Sequence, residues 1–269
     1  MDLSLVGPGR AGLALSLAAH RAGHRIVGVL GRDPTKIDHA AALLETTTLS
    51  WDQPLPKADL LLIAVRDDAI AAVAERLSTK AEHQAAAVHL SGLTPIAALA
   101  PLRIPVGSFH PLQTIPTPEA GAERLAGAWI AVTSDDDLLS DRLFALAASI
   151  GAHPFELADE QKPLYHAAAA AAANFPLAAL AMSRRLFIAA GVDFAVAGPL
   201  IEAVVANALE MGPEAALTGP VARGDVGTIR AQLAALRTAA PDLVEHFVAM
   251  IRATAAVAGT TADIEEALR

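Results

Sequence analysis

Short apolar runs alternate with helical periodicity through the first half of the chain, the pattern of a parallel sheet covered by helices. Residues 3–6 form a first strand, and residues 11–22 carry a helical pattern. Residues 25–30 form a second strand, followed by a helix over 34–44 with Asp33 placed to cap it and Pro34 in its first turn. Residues 59–65 are almost continuously apolar, as in a strand buried on both faces. Asp67 or Asp68 stands where it would cap a helix over 69–77. Further strands are expected at 86–90, 106–109, 129–132 and 152–157. From residue 163 onward only helical patterns remain, broken by Gly191, Gly198-Pro199, Gly212-Pro213, residues 218–224 and Pro241. The pattern predicts an α/β, doubly wound, mostly parallel sheet domain over 1–157, then an all-α domain over 158–269.

Composition narrows the function classes. Apolar residues make up 54% of the 269, enough for a sizeable core in each domain. The formal charge of -9 argues against a nucleic-acid surface. With no cysteine there are no disulfides or thiolate metal sites, and the histidines show no metal-ligand spacing with carboxylates, so no metal is expected. The N-terminus has no basic segment followed by an apolar stretch and cleavage site. The most membrane-like stretch, 164–182, is mostly alanine and contains His166, Asn174 and Pro176, and it reads as a buried helix. A soluble, cytoplasmic protein without membrane partners is the expectation.

Gly7-Pro8-Gly9-Arg10-Ala11-Gly12 follows the first strand directly and opens the first helix. That context turns a weak glycine pattern into a Rossmann-type dinucleotide fingerprint. Gly7 would make the tight turn, Gly9 would let the backbone approach a pyrophosphate, and Gly12 would bring helix and strand close. At the end of the second strand, where Asp or Glu commonly serves NAD(H), stand Gly31-Arg32-Asp33. Arg32 offers a cationic fork to a 2′-phosphate, with Gly31 leaving room beside it, and favours NADP(H); Asp33 keeps NAD(H) as the alternative. Val65-Arg66 and Ser91-Gly92 end strands on the same edge and would flank the nicotinamide ribose, although plain strand-to-helix turns explain them equally well.

Three groups carry candidate chemistry. His110, in Phe109-His110-Pro111, emerges on the ligand-binding edge as a possible acid or as a loop-fixing residue. Tyr165, His166 and Asn174 open the second domain; His166 and Asn174 lie about 80° apart around one helix and serve either a ligand or a buried pair. Thr218, Arg223 and Asp225 crowd a glycine-rich interhelical loop, where Arg223 could clamp a carboxylate or Asp225 simply cap the next helix.

On GPGRAG at 7–12, HPLQT at 110–114, YHAAAAAAANF at 165–175 and LTGPVARGD at 217–225, the whole chain resembles a bacterial family. That family joins a Rossmann-like NADP-binding domain to a helical C-terminal domain of unassigned function. More distantly it is similar to pyrroline-5-carboxylate reductase, ketopantoate reductase, prephenate dehydrogenase and the β-hydroxyacid dehydrogenases. In the last group the first helix of the second domain carries a catalytic Lys and Asn; here that stretch has His166 and Asn174, with no Lys aligned on the face. The resemblance implies a homodimer formed through the helical domains. Together these readings give an NADPH-dependent reductase of a ketone or imine on a small carboxylate, acting in an interdomain cleft. His166 or His110 would donate the proton, Asn174 would orient the substrate, and Tyr165, Thr218, Arg223 and Asp225 would bind it. A ketopantoate-reductase-like enzyme and a non-catalytic NADP(H)-binding sensor are the alternatives.

Overall fold

The computed structural model describes residues 1–268, which divide into two compact units, Met1–Ala173 and a second beginning at Asn174. The first is built on seven strands: β1 (Asp2–Val6), β2 (Arg25–Leu30), β3 (Leu60–Ile63), β4 (Ala87–His89), β5 (Val106–Leu112), β6 (Trp129–Ser134) and β7 (His153–Glu156). They lie in the order β2-β1-β3-β4-β5-β6-β7. β2 through β5 run parallel, β6 runs antiparallel to β5, and β7 follows β6 in parallel. The order reverses between β1 and β3, and open α/β sheets bind ligands outside the carboxyl ends of strands at such a switch point.

Helices cover both faces, which is why β3 is apolar without alternation. Leu60 and Leu62 enter one core with α1 (Arg10–Arg21) and Val88 and Phe109; Leu61 and Ile63 enter the other with α3 (Ile70–Leu77). α2 (Pro34–Leu43) starts at Pro34 because the Asp33 carboxylate accepts from the Thr35 and Lys36 amides. α4 (Pro118–Arg124) and α5 (Asp137–Ser149), each with a side-chain N-cap, complete the unit's coverage.

Two expectations need correction. Neither Asp67 nor Asp68 caps α3, because a 3-10 turn over Asp67–Ala69 intervenes and moves the helix start to Ile70. Asp68 instead pairs with Arg66 at 2.8 Å, and Asp67 accepts from Ser91. The second correction concerns α6 (Lys162–Ala189): its alanine stretch is largely exposed, not buried, and Leu164 is 79% exposed.

In the second unit α7 (Gly198–Met211) and α8 (Pro213–Ala216) precede α9 (Val226–Ala239), α10 (Val244–Ala258) and α11 (Thr261–Ala267). Ile229 and Leu233 of α9, Ile251 and Ala255 of α10, and Ile264 of α11 make its core. The segments Asp159–Ala189 and Phe194–Met211 are long and apolar enough to cross a membrane by length and composition.

Candidate active site

The glycine loop makes the contacts its spacing demands. Gly7 sits at φ +86°, and a Cβ there would lie 2.7 Å from Val65 and 2.8 Å from the Ala64 carbonyl. Gly12 is pressed against β3's exit, where a Cβ would meet that of Ala64 at 2.4 Å. Gly9 is different. A Cβ on it would meet nothing closer than the Ala64 carbonyl at 3.9 Å, so packing within the protein does not require glycine there. Close approach of a ligand's pyrophosphate is what would require it. Gly9 is also the N-cap of α1 and offers no side chain to the first-turn N–H groups, which suits an anion such as a pyrophosphate.

At the tip of β2, Arg32 is exposed and has no ion-pair partner among the described residues, while Asp33 is engaged in capping α2. Gly31 does not leave room beside Arg32: Pro8 and Ile37 approach the position of its missing Cβ within 3.0 and 3.1 Å. Its carbonyl is held by the Trp51 indole N–H at 2.7 Å, and Arg76 stacks over that ring at 4.1 Å.

The structure joins two of the candidate groups. β5 extends to Leu112 and so holds His110 on its carboxyl end; α6 begins nearby with Tyr165 and His166. His110 Nδ1 and the Tyr165 hydroxyl lie 2.9 Å apart, and the His166 ring stands 6.4 Å from that of His110. Gly92 lies against the imidazole, for a Cβ on it would come within 2.8 Å of the ring. Burial, aided by His166, lowers the His110 pKa to about 4, leaving the ring neutral near pH 7. Burial likewise pushes Tyr165 up to about 12, so its proton is retained. A neutral imidazole bonded to a protonated phenol is a unit that can pass a proton without holding a charge.

Around this pair lie residues the sequence did not single out. His89, fully buried at the end of β4, accepts from the Ser91 amide through Nδ1, and its Nε2 has no well-formed partner. Burial, then the nearby Lys162 charge, lowers its pKa to about 4. The one available sequence signal was Asp159 three residues before Lys162, at the start of α6.

The other candidates lie in the second unit. Asn174 is exposed, as are Thr218 and Arg223. Asp225 caps α9: its carboxylate accepts from the Thr228 amide at 3.0 Å and hydroxyl at 2.7 Å, and these bonds lower its pKa. The capping alternative for Asp225 is thus realised in the structure. Among the described residues no group of three or more His, Asp or Glu side chains is arranged to hold a metal.

Residues 1–111 match the model of a Rossmann-like domain, and residues 128–254 match that of a domain of unknown function, DUF2520. The two matches occupy separate stretches of the chain. His110 falls within the first match and Tyr165 and His166 within the second, yet all three lie in the first compact unit. No curated protein matches the chain. Among solved structures, a Bacteroides fragilis protein provisionally designated an NADP oxidoreductase is 24% identical, with 95% of this chain and 98% of that one covered at a TM-score of 0.82. An imine reductase of Streptomyces aurantiacus is 16% identical with complete coverage of both chains and a TM-score of 0.67. The pyrroline carboxylate reductase of Plasmodium falciparum, solved with NADP bound, is 13% identical, with 98% of each chain covered and a TM-score of 0.62. At these identities the likeness is one of fold.

Proposed function

We propose that the chain is an NADPH-dependent reductase of a ketone or imine on a small carboxylate. The observation that carries this reading is the His110–Tyr165 pair on the carboxyl edge of the sheet, beside Gly92 and on the same edge as the glycine loop. The names of its structural neighbours, a protein provisionally designated an NADP oxidoreductase, an imine reductase and an NADP-bound pyrroline carboxylate reductase, support the same class. Gly7, Pro8, Gly9, Arg10, Ala11 and Gly12 would hold the pyrophosphate, and exposed Arg32 would select the 2′-phosphate. Val65, Arg66, Ser91 and Gly92 would flank the nicotinamide ribose. The bound cofactor supplies a hydride to the carbonyl or imine carbon.

The chain's own part is the proton. Tyr165 donates its O–H proton to the developing alkoxide or amine, and His110, in the tautomer protonated on Nδ1, returns a proton to the phenol oxygen. As that proton leaves, Nε2 takes one up from solvent, with His166 alongside, and proton exchange with solvent restores the starting tautomer, so one hydride and one proton are consumed per turnover. Tyr165 replaces His166 as the preferred donor because it holds the bond to His110. The exposed apolar helices α6 and α7 support a homodimer joined through them.

A panel of 2-oxo acids and cyclic imino acids, followed by NADPH absorbance, tests the assignment. At least one should be reduced, and Tyr165→Phe should lower kcat about 10²-fold while the Kd for NADPH stays nearly constant. Undiminished turnover by Tyr165→Phe, or no oxidation on any member of the panel, overturns it.

A further inference from the structure

Lys162 is 1% exposed, the one Lys, Arg, Asp or Glu side chain that is fully buried among the described residues. Burying an ammonium is costly unless it is paired and hydrogen-bonded, so its partners show what the burial accomplishes. Nζ lies 2.8 Å from the Asp159 carboxylate and donates to the Thr94 carbonyl at 3.0 Å. Asp159 in turn accepts from the Ile96 amide, at 3.1 and 3.3 Å to its two oxygens. The start of α6 therefore grips one loop, Ser91 to Ile96, at two backbone positions.

The loop's other end is tied as well. Ser91 Oγ donates to Asp67 at 2.8 Å and accepts from the Leu93 and Thr94 amides at 3.1 and 2.9 Å. Its own amide donates to His89. Gly92, between these ties, touches the His110 imidazole, so any drift of the loop would displace the ring or release it from Tyr165. Two of the three Lys162 N–H donors are committed to Asp159 and the Thr94 carbonyl.

We propose that Lys162 is a positioning residue: through Asp159 and Thr94 it locks the Ser91–Ile96 loop, the ledge for the nicotinamide end of the cofactor, and so fixes His110. The inference rests on the NADPH reading for what the ledge carries, but the lock is a property of the chain alone. It accounts for a buried charge that neither the glycine fingerprint nor the proton relay requires.

The test uses the full chain with Lys162→Met, which keeps the aliphatic volume, and Asp159→Asn, which changes a partly exposed side chain and preserves the fold should the first variant not. Amide hydrogen exchange is followed over 91–96, and affinity is measured for NADPH and for adenosine 2′,5′-bisphosphate, which carries only the adenosine end. In either variant the Ile96 and Thr94 amides should exchange about tenfold faster, and NADPH should bind about tenfold more weakly, the weight of one charge-assisted hydrogen bond. Adenosine 2′,5′-bisphosphate should bind as to the unaltered chain. Unchanged exchange in both variants, or equal loss of both ligands, overturns the proposal. Should the unaltered chain bind neither ligand, the NADPH reading falls, and exchange over 91–96 alone decides the lock.

Discussion

Gly9 and Gly12 are two residues of one short motif, yet the structure asks different things of them. Gly12 is fixed by the protein itself, since a methyl group there would overlap Ala64. Gly12→Ala should therefore cost about 1–3 kcal/mol of stability in urea denaturation, whatever it does to binding. Gly9 sits at φ -77°, which any residue adopts, in open space. Gly9→Ala should leave the unfolding midpoint nearly unchanged while NADPH affinity falls about tenfold or more, as calorimetry would record. The sequence pattern made these glycines equivalent, because spacing shows that small residues are needed but not what presses on them. Buried histidines add a second test. His89 and His110 have pKa values lowered to about 4, below the ordinary 6.5, so between these values the unfolded chain binds protons that the folded one does not. Their contribution is complete above pH 6.5 and is lost as pH falls toward 4, with an upper bound of roughly 7 kcal/mol between them. Urea midpoints measured from pH 7 to pH 4 should fall accordingly, and His110→Gln should flatten part of that slope.

Elements were legible wherever burial is two-sided or a cap is local. β2 and the start of α2 follow from the apolar run and from Asp33-Pro34, which need nothing beyond their neighbours in sequence. The antiparallel turn of β6 was not legible, because strand direction is set by which edge the chain reaches next. Likewise no periodicity reveals that α6 opens on a buried lysine, since its partners Thr94 and Asp159 come from a loop and a 3-10 turn. The tip of β2 shows the same dependence on distant chain. Trp51 lies twenty residues from Gly31, yet its indole N–H holds the Gly31 carbonyl and with it the backbone that presents Arg32. Trp51→Phe keeps the ring under Arg76 and removes only that donor. The expected outcome is a loss of about 1 kcal/mol in stability and a preference for NADPH over NADH reduced several-fold, read from the two dissociation constants.

At the scale of the whole molecule the open question is what covers the apolar helices. On α7, Leu200, Val204, Val205 and Leu209 are 63%, 58%, 52% and 85% exposed; at about 100° per residue Leu200 and Val204 share one face, and Val205 and Leu209 share another. On α6, Phe175, Leu177 and Ile188 are each at least 60% exposed. Stripes of this extent are larger than isolated apolar residues on a monomer's surface and mark a contact surface. The alanine stretch reads in sequence as the interior of one chain because periodicity reports that a face is apolar, not whose atoms cover it. A second copy is the occupant we favour over a bilayer, because α7 carries Glu202 and Glu210 and α6 carries Arg184 and Arg185 within segments a membrane core would have to enclose. A membrane would also draw the chain into vesicles, whereas a self-complementary apolar stripe makes a two-fold dimer in plain buffer. Light scattering after size exclusion should therefore give twice the chain mass. Leu200→Glu with Leu209→Glu should yield monomers that keep the first unit's fold by circular dichroism and still bind NADPH, since Gly7 to Gly12 and Arg32 lie in that unit. A monomeric unaltered chain, or flotation with liposomes, would remove the dimer and leave the cofactor site standing.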